Sequence, residues 1–151
     1  MFTFTRMAAV TSLAVAVSAC GSSSASAPTQ PATRTILSQG SFQTASAPAG
    51  TRDLTGTDVA LFPVTLTAAG TLDVTASWAA QANDVEFAIH QGTCTFSNLG
   101  TTACVSVMES GKPTTRGATI TKALAAGNYT MLIVNYGPGA ESGTYQIGFT
   151  P

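Results

Sequence analysis

The sequence predicts an all-β protein: a single antiparallel β-sandwich, jelly-roll-like, with seven to eight strands and no helix. Glycine-containing turns separate short strand-like stretches, as in sandwiches and jelly rolls. In these stretches apolar residues alternate with polar or small ones, the period-two pattern of strands that bury one face. The alternating stretches are residues 62–66, 72–78, 85–89, Ile120 with its threonine neighbours, and 145–149.

Three individual features refine this prediction. Residues 129–136 (YTMLIVNY) are apolar at nearly every position, which predicts a central strand. Pro63 has no backbone N–H to donate, so its strand should lie at a sheet edge or begin there. Trp78 ends a strand-like stretch, and we expect it to plug the core or anchor one end of a sheet.

The composition excludes some function classes. Charged residues make up 9% of the 151 residues, against about 25% in ordinary soluble domains. A neutral polar surface of this kind suits β-rich extracytoplasmic proteins. The net charge is −1 and no segment carries a basic excess, so we expect no nucleic-acid partner.

The N-terminus reads as a cleaved leader. Arg6 precedes an apolar run that ends at Ala19 and is shorter than the ~20 residues of a membrane-spanning helix. Val17-Ser18-Ala19-Cys20 resembles the lipobox of bacterial lipoproteins. The alternative is an ordinary secretory signal followed by a chance cysteine.

The lipobox resemblance implies a membrane anchor at Cys20. In such lipoproteins the cysteine thiol is diacylglycerated, the leader is cut before it, and the new amine is acylated. Each buried methylene contributes ~0.8 kcal/mol to membrane binding, so several acyl chains anchor the protein stably where one chain would bind only marginally. Gly21 follows the cysteine where aspartate would favour inner-membrane retention. By analogy we expect the outer membrane of a Gram-negative bacterium.

This divides the chain into three parts. Residues 1–19 are predicted to be the lipoprotein signal peptide, 20–34 the lipidated cysteine with a flexible linker, and 35–151 the β-sandwich domain. The linker is rich in Ser, Ala, Thr and Pro without apolar periodicity, so burial cannot offset the entropy of ordering it. A flexible segment of this length spans about 20 Å.

The cysteine count supports export. Three cysteines are an odd number, but lipidation of Cys20 leaves Cys94 and Cys104 as a pair. We predict a disulfide between them, which closes a loop between two strands and contributes roughly 2–3 kcal/mol to stability. The competing interpretation, a zinc site, lacks a second cysteine pair and has one histidine, which we expect to be distant.

Residues 57–150 resemble the bacterial pre-peptidase C-terminal domain, a small β-sandwich often appended to secreted proteases. The resemblance rests on residues 62–78 (FPVTLTAAGTLDVTASW), 84–89 (DVEFAI) and 124–149, with AAGNYT and SGTYQI. Some relatives bind calcium or collagen-like substrates, which implies Asp84 and Glu86 as metal ligands. Calcium needs six to eight oxygens, however, and the pattern favours a solvated strand edge at these positions.

No catalytic site is visible, and we expect neither an enzyme nor a cofactor. His90 is the single histidine, so a Ser-His-acid relay would have to include it, yet it stands at a strand end where polar surface residues are ordinary. Nucleophile-elbow, zinc-protease and Walker motifs do not occur. Glu109 and Glu141 are expected to be solvated in Ser/Gly loops.

The predicted function is that of a lipid-anchored cell-envelope protein with a non-catalytic module for a glycan, peptide or protein. Tyr129, Tyr136 and Tyr145 are the candidate ligand-binding residues, since tyrosine is favoured at recognition surfaces. The alternative for these rings is packing within the sandwich. A second function class is a structural or accessory envelope lipoprotein that assists an export or assembly partner, with an edge strand for strand addition.

Overall fold

The structure, a computed structural model, describes residues 31–46, 57–80, 82–111 and 115–151. These ranges contain eight strands and no helix, so none of their segments is a helix that could cross a membrane. The strands are β1 (Thr35–Thr44), β2 (Val59–Leu66), β3 (Gly70–Trp78), β4 (Val85–Gln91), β5 (Val105–Glu109), β6 (Gly117–Leu124), β7 (Gly127–Asn135) and β8 (Glu141–Thr150). The predicted signal peptide, Cys20 and most of the linker lie outside the described residues.

The strands form two four-stranded antiparallel sheets. The first sheet has the order β1-β8-β3-β6 and the second the order β2-β7-β4-β5. Every recorded strand pair is antiparallel. This confirms the all-β sandwich and its number of strands.

The core lies between the inner faces of the two sheets. The alternating residues of β2, β3, β4 and β8 supply it as predicted, and Trp78 is buried at the end of β3. Strand β7 lies between β2 and β4, which confirms the central strand, and β2 is an edge strand, as Pro63 indicated. The largest fully buried apolar side chains are Phe87, Leu72, Ile89, Met131, Ile133 and Ile147.

Strand β1 was not among the alternating stretches, because most of its residues are polar or exposed. It pairs with β8 from Thr35 to Thr44, with one irregularity after Ile36. Just before β1, the Arg34 guanidinium forms an ion pair with Asp73 of β3 and also contacts the Gln146 side chain. Main-chain pairing with β8 and the buried side chain of Phe42, which belongs to the core, therefore hold β1 on the sheet although the strand lacks apolar periodicity.

Glu141 is not the solvated loop residue that we expected. It begins β8 and is 5% exposed. Its carboxylate accepts hydrogen bonds from the backbone N–H of Ala79 (3.2 Å), Ala80 (3.0 Å) and Ser142 (2.9 Å), and from Asn83 Nδ2 (3.1 Å). Burial alone raises the pKa of Glu141, but these four hydrogen bonds together outweigh it and hold the pKa below its ordinary value.

We expect Glu141→Gln to lower the free energy of unfolding by about 2 kcal/mol at pH 7, because an ionised acceptor of several hydrogen bonds is lost. The folded pKa is lowered, so the contribution of the carboxylate is complete above the unfolded value near 4.5 and disappears as the pH falls through the folded pKa. Urea unfolding of both proteins should therefore give a difference that shrinks below pH 4.5.

The matched control is Glu109→Gln, which neutralises an exposed carboxylate on β5. This variant should leave the urea midpoint unchanged both at pH 7 and below pH 4.5. If the stability difference between Glu141→Gln and the parent does not vary with pH, the stabilisation does not come from the ionised Glu141 carboxylate.

Candidate binding groove

The second sheet carries apolar side chains on its outer face as well as on its inner face. Val59, Ala88, Leu132 and Val134 form a buried cluster that is separate from the core. It arises because β7 is apolar at successive positions, so that Met131 and Ile133 enter the core while Leu132 and Val134 face outward. This outer-face cluster needs a cover from elsewhere in the chain.

The cover is the loop between β4 and β5, residues 92–104. Its Leu99 packs against the outer-face cluster. Thr130 of β7 ties the start of the loop to the sheet, since its Oγ1 accepts from Cys94 N and donates to Gly92 O, both at 2.9 Å. The disulfide Cys94–Cys104 closes the loop with a Cα–Cα distance of 5.3 Å, which confirms the predicted pair.

Two local features fix the shape of this loop. Gly92 has a φ of 107°, and a Cβ there would lie 2.4 Å from the Ala103 carbonyl oxygen, so other residues are disfavoured. Within the loop, Asn98 Oδ1 accepts from Thr95 N (2.7 Å), and Thr101 Oγ1 donates to the Asn98 carbonyl (2.7 Å). The loop therefore has a conformation that its own hydrogen bonds hold in place, and it forms a wall on the outer face of the sheet.

Beside this wall a groove of about 430 Å³ opens on the outer face, within the size range of ligand sites. Its aliphatic surface comes from Leu99 and from three members of the outer-face cluster, Ala88, Leu132 and Val134, and hydroxyls come from the loop and β5. The groove is lined by Glu86, Phe87, Ala88, His90, Leu99, Gly100, Thr101, Thr102, Cys104, Val105, Ser106, Glu109, Leu132, Val134 and Tyr136.

The groove has an acidic character. Of its described lining residues, only Glu86 and Glu109 carry a formal charge, and neither Lys nor Arg is among them. Glu109 is exposed at the end of β5, and Glu86 is half-buried on β4. The groove thus combines an aliphatic surface with two carboxylates, a combination that suits an apolar group next to a cation.

His90 lies elsewhere than we expected. It is 8% exposed, and its Nδ1 lies 3.4 Å from Cys104 Sγ. The expectation of a surface histidine far from the cysteines is therefore wrong. The β4–β5 hairpin is the reason, because it pairs His90 with Ser106 and so returns Cys104 beside the ring.

The structure does not bring the three candidate tyrosines together. Tyr129 is buried in the core and donates its hydroxyl to the Ala125 carbonyl at 3.1 Å. Tyr145 packs its half-buried ring against Phe62, with centroids 3.9 Å apart. Of the three, Tyr136 alone lines the groove. The groove therefore keeps one of the three predicted ligand-binding residues.

The two acidic residues named as calcium ligands lie at the start of β4. Asp84 precedes the strand and its carbonyl accepts from Tyr136 N at 2.7 Å. Glu86 lines the groove. In the described part of the chain, the one group of three metal-ligating side chains is His90, Cys94 and Cys104. Calcium binding by Asp84 and Glu86 stays a prediction.

The aliphatic residues of the groove were missed by the sequence analysis. A signal existed, however. A strand at the centre of a two-layer sandwich buries one face in the core, whereas residues 129–136 are apolar on both. The second face had to be covered by another part of the chain or by a ligand.

We expect the double variant Cys94→Ala/Cys104→Ala to unfold at lower urea concentration, with a loss of about 2–3 kcal/mol, because its unfolded chain is less restrained. A phosphine reductant should reproduce this loss in the parent protein and have no effect on the double variant. Equal stability of the oxidised and reduced parent would contradict a structural role for the disulfide.

Comparison with known proteins finds similarity in structure but none in sequence. The sequence matches no protein-family profile and no curated protein. Among solved structures, the chain is similar to the pre-peptidase C-terminal domain of collagenase from Bacillus anthracis, with 13% sequence identity and a TM-score of 0.45. The match covers 72% of this chain and 86% of that one. Nothing about ligand or activity follows from a match at this level.

Proposed function

We propose that this protein is a lipid-anchored protein of the cell envelope whose β-sandwich is a non-catalytic binding module. Its groove on the second sheet takes an apolar side chain of a peptide or protein segment that also carries a basic residue. The observation that carries this proposal is the 430 Å³ groove, with its aliphatic surface and two carboxylates.

The surface chemistry of the groove favours a peptide over a glycan. Ala88, Leu132 and Val134 offer aliphatic contact and no hydrogen bonds from their side chains, which suits a Leu, Val or Met side chain. The exposed carboxylate of Glu109 at the end of β5 offers an attractive field to a neighbouring Lys or Arg. Hydroxyls of Thr101, Thr102 and Ser106 also line the groove, so it is the aliphatic surface, which matches no group of a glycan as well as it matches an apolar side chain, that favours a peptide.

The surroundings of His90 support a non-catalytic role. A relay for nucleophilic catalysis requires a histidine held by a carboxylate and facing a hydroxyl or thiol. In the described residues the recorded contact of the His90 ring is with Cys104 Sγ, a disulfide sulfur. A disulfide sulfur is neither an orienting carboxylate nor a nucleophile with a proton to give.

The membrane part of the proposal rests on the sequence. Val17-Ser18-Ala19-Cys20 supplies the lipobox pattern, and Gly21 stands where an aspartate would favour inner-membrane retention, which by analogy favours the outer membrane. The membrane is thus the first partner, through the acyl chains on Cys20, and the groove ligand is the second.

An accessory role beside an export or assembly machine is the second candidate. Strand β5 is the last strand of its sheet, and no described strand pairs with its outer edge. Val105 at its start is 48% exposed. A partner strand added there would extend the sheet next to the groove.

We expect Ala88→Phe to weaken peptide binding about tenfold or more, because the added ring fills space that a buried ligand side chain needs. The test uses the compact unit Pro31–Pro151 on peptide and glycan arrays, followed by titration of the strongest peptide. Peptides with an apolar residue next to Lys or Arg should be retained.

Thr119→Phe is the matched control, since it adds the same ring at an exposed position on the other sheet and should leave binding unchanged. Equal weakening by both variants would contradict the groove as the site. Binding to glycans alone would reassign the ligand class, and silence on both arrays would favour the accessory role.

We expect Cys20→Ser to move the protein out of the membrane fraction, because the thiol that takes the diacylglycerol is gone. Cell fractionation followed by immunoblotting measures this, and Ser22→Ala is the control that should stay with the membrane. A Cys20→Ser protein that still sediments with membranes would refute the anchor.

A further inference from the structure

One cluster of chemically reactive side chains is left unexplained by the binding proposal. A ligating atom of His90, the sulfur of Cys94 and the sulfur of Cys104 all lie within 4.8 Å of one another, and all three residues are buried. His90 Nδ1 lies 3.4 Å from Cys104 Sγ. One nitrogen and two sulfurs are the donor types of a zinc site.

We propose that reduction of the Cys94–Cys104 disulfide turns this cluster into a binding site for Zn²⁺. The ligands are the two cysteine thiolates and the Nδ1 atom of His90. The disulfide form has no thiolate to offer and does not bind the ion, so the redox state of the pair decides whether the site exists.

The chemistry balances with a named reductant. A dithiol gives two electrons and two protons to the Cys94–Cys104 bond, which becomes two thiols while the dithiol becomes a disulfide. On binding Zn²⁺ the two thiols release two protons to solvent. His90 donates the Nδ1 lone pair of its neutral ring and keeps its proton on Nε2. Two thiolates neutralise the ion, which lowers the cost of holding it in a buried site.

The three ligands have supports that do not depend on the disulfide. His90 belongs to strand β4 and pairs with Thr130 on one side and Ser106 on the other. The Cys94 backbone is held by Thr130 Oγ1. Cys104 donates its N–H to the Thr101 carbonyl at 3.0 Å and leads directly into β5. Reduction therefore breaks one bond among several that keep these residues together.

The energetics permit a folded reduced form. Loss of one disulfide removes less than the whole stability of a typical domain, so the reduced chain can stay folded. The Cα–Cα distance of 5.3 Å lets the two sulfurs separate by rotation about χ1, with the backbone in place. The site would then be formed before the ion arrives.

The groove gives the ion a route and a fourth ligand position. His90 and Cys104 both line the groove, so an ion held between them faces that space. With three protein ligands, tetrahedral coordination leaves one position for water or for a ligand atom in the groove. From the sequence a zinc site was disfavoured because there is no second cysteine pair and because His90, which the fold brings to the cysteines, was expected to be distant.

The experiment uses the full-length protein in detergent micelles, reduced with a phosphine and desalted without oxygen. Titration with Co²⁺ should give one ion per chain, with thiolate-to-cobalt charge-transfer absorption and tetrahedral visible bands, and Zn²⁺ should displace it. His90→Ala should raise the dissociation constant at least about tenfold. Gln91→Ala, an exposed neighbour on the same strand, should leave it unchanged.

Two further samples make each outcome decisive. The unreduced protein and the variant Cys94→Ala/Cys104→Ala should bind no Co²⁺, which excludes a contribution from Cys20. The proposal is overturned if the reduced parent shows no charge-transfer band, if His90→Ala binds as tightly as the parent, or if reduction abolishes the β-sheet circular dichroism and Zn²⁺ does not restore it. A negative result here leaves the groove proposal intact, because peptide binding is measured on the oxidised protein.

Discussion

Strand β7 is apolar on both of its faces, and the arrangement of its neighbours follows from the need to cover both. The inner side chains, Met131 and Ile133, are covered by the first sheet in the sandwich core. Above the outer side chains, Leu132 and Val134, the described residues place no second sheet, and Leu99 of the β4–β5 loop packs there instead. Where that cover ends, the groove begins, so the groove is a consequence of one strand's composition.

A short loop can cover a sheet only if its position is fixed. Here the disulfide closes the loop ends, Thr130 ties its start to β7, and Gly92 allows the backbone to pass close to the Ala103 carbonyl. These restraints differ in kind: one covalent, one a pair of buried hydrogen bonds, one steric. They meet at Gly92 and Cys94, which both bond to Thr130 Oγ1, so we expect substitutions at these three positions to be non-additive.

The sequence was sufficient for the fold class, because period-two alternation is a local signal, and for the disulfide, because the cysteine count leaves one pair, whereas strand β1 lacks alternation and was missed. It failed where burial depends on distant pairing. Glu141 follows a Gly-rich turn and looked solvated, yet Asn83 and the backbone at residues 79–80 surround its carboxylate. His90 was expected at the surface, but the pairing of the β4–β5 hairpin places its ring against Cys104. Both errors concern contacts between elements, which one-dimensional patterns do not encode.

The groove and the cluster of His90, Cys94 and Cys104 share two residues, and this ties their behaviour together. His90 and Cys104 line the groove and also belong to the cluster. An ion held there is neutralised by its two thiolates, and it presents an open coordination position to the groove. The metal-bound form therefore favours a groove ligand that carries a donor atom. By linkage, any groove ligand that discriminates between the two redox forms shifts the balance between disulfide and metal-bound dithiol by the same factor.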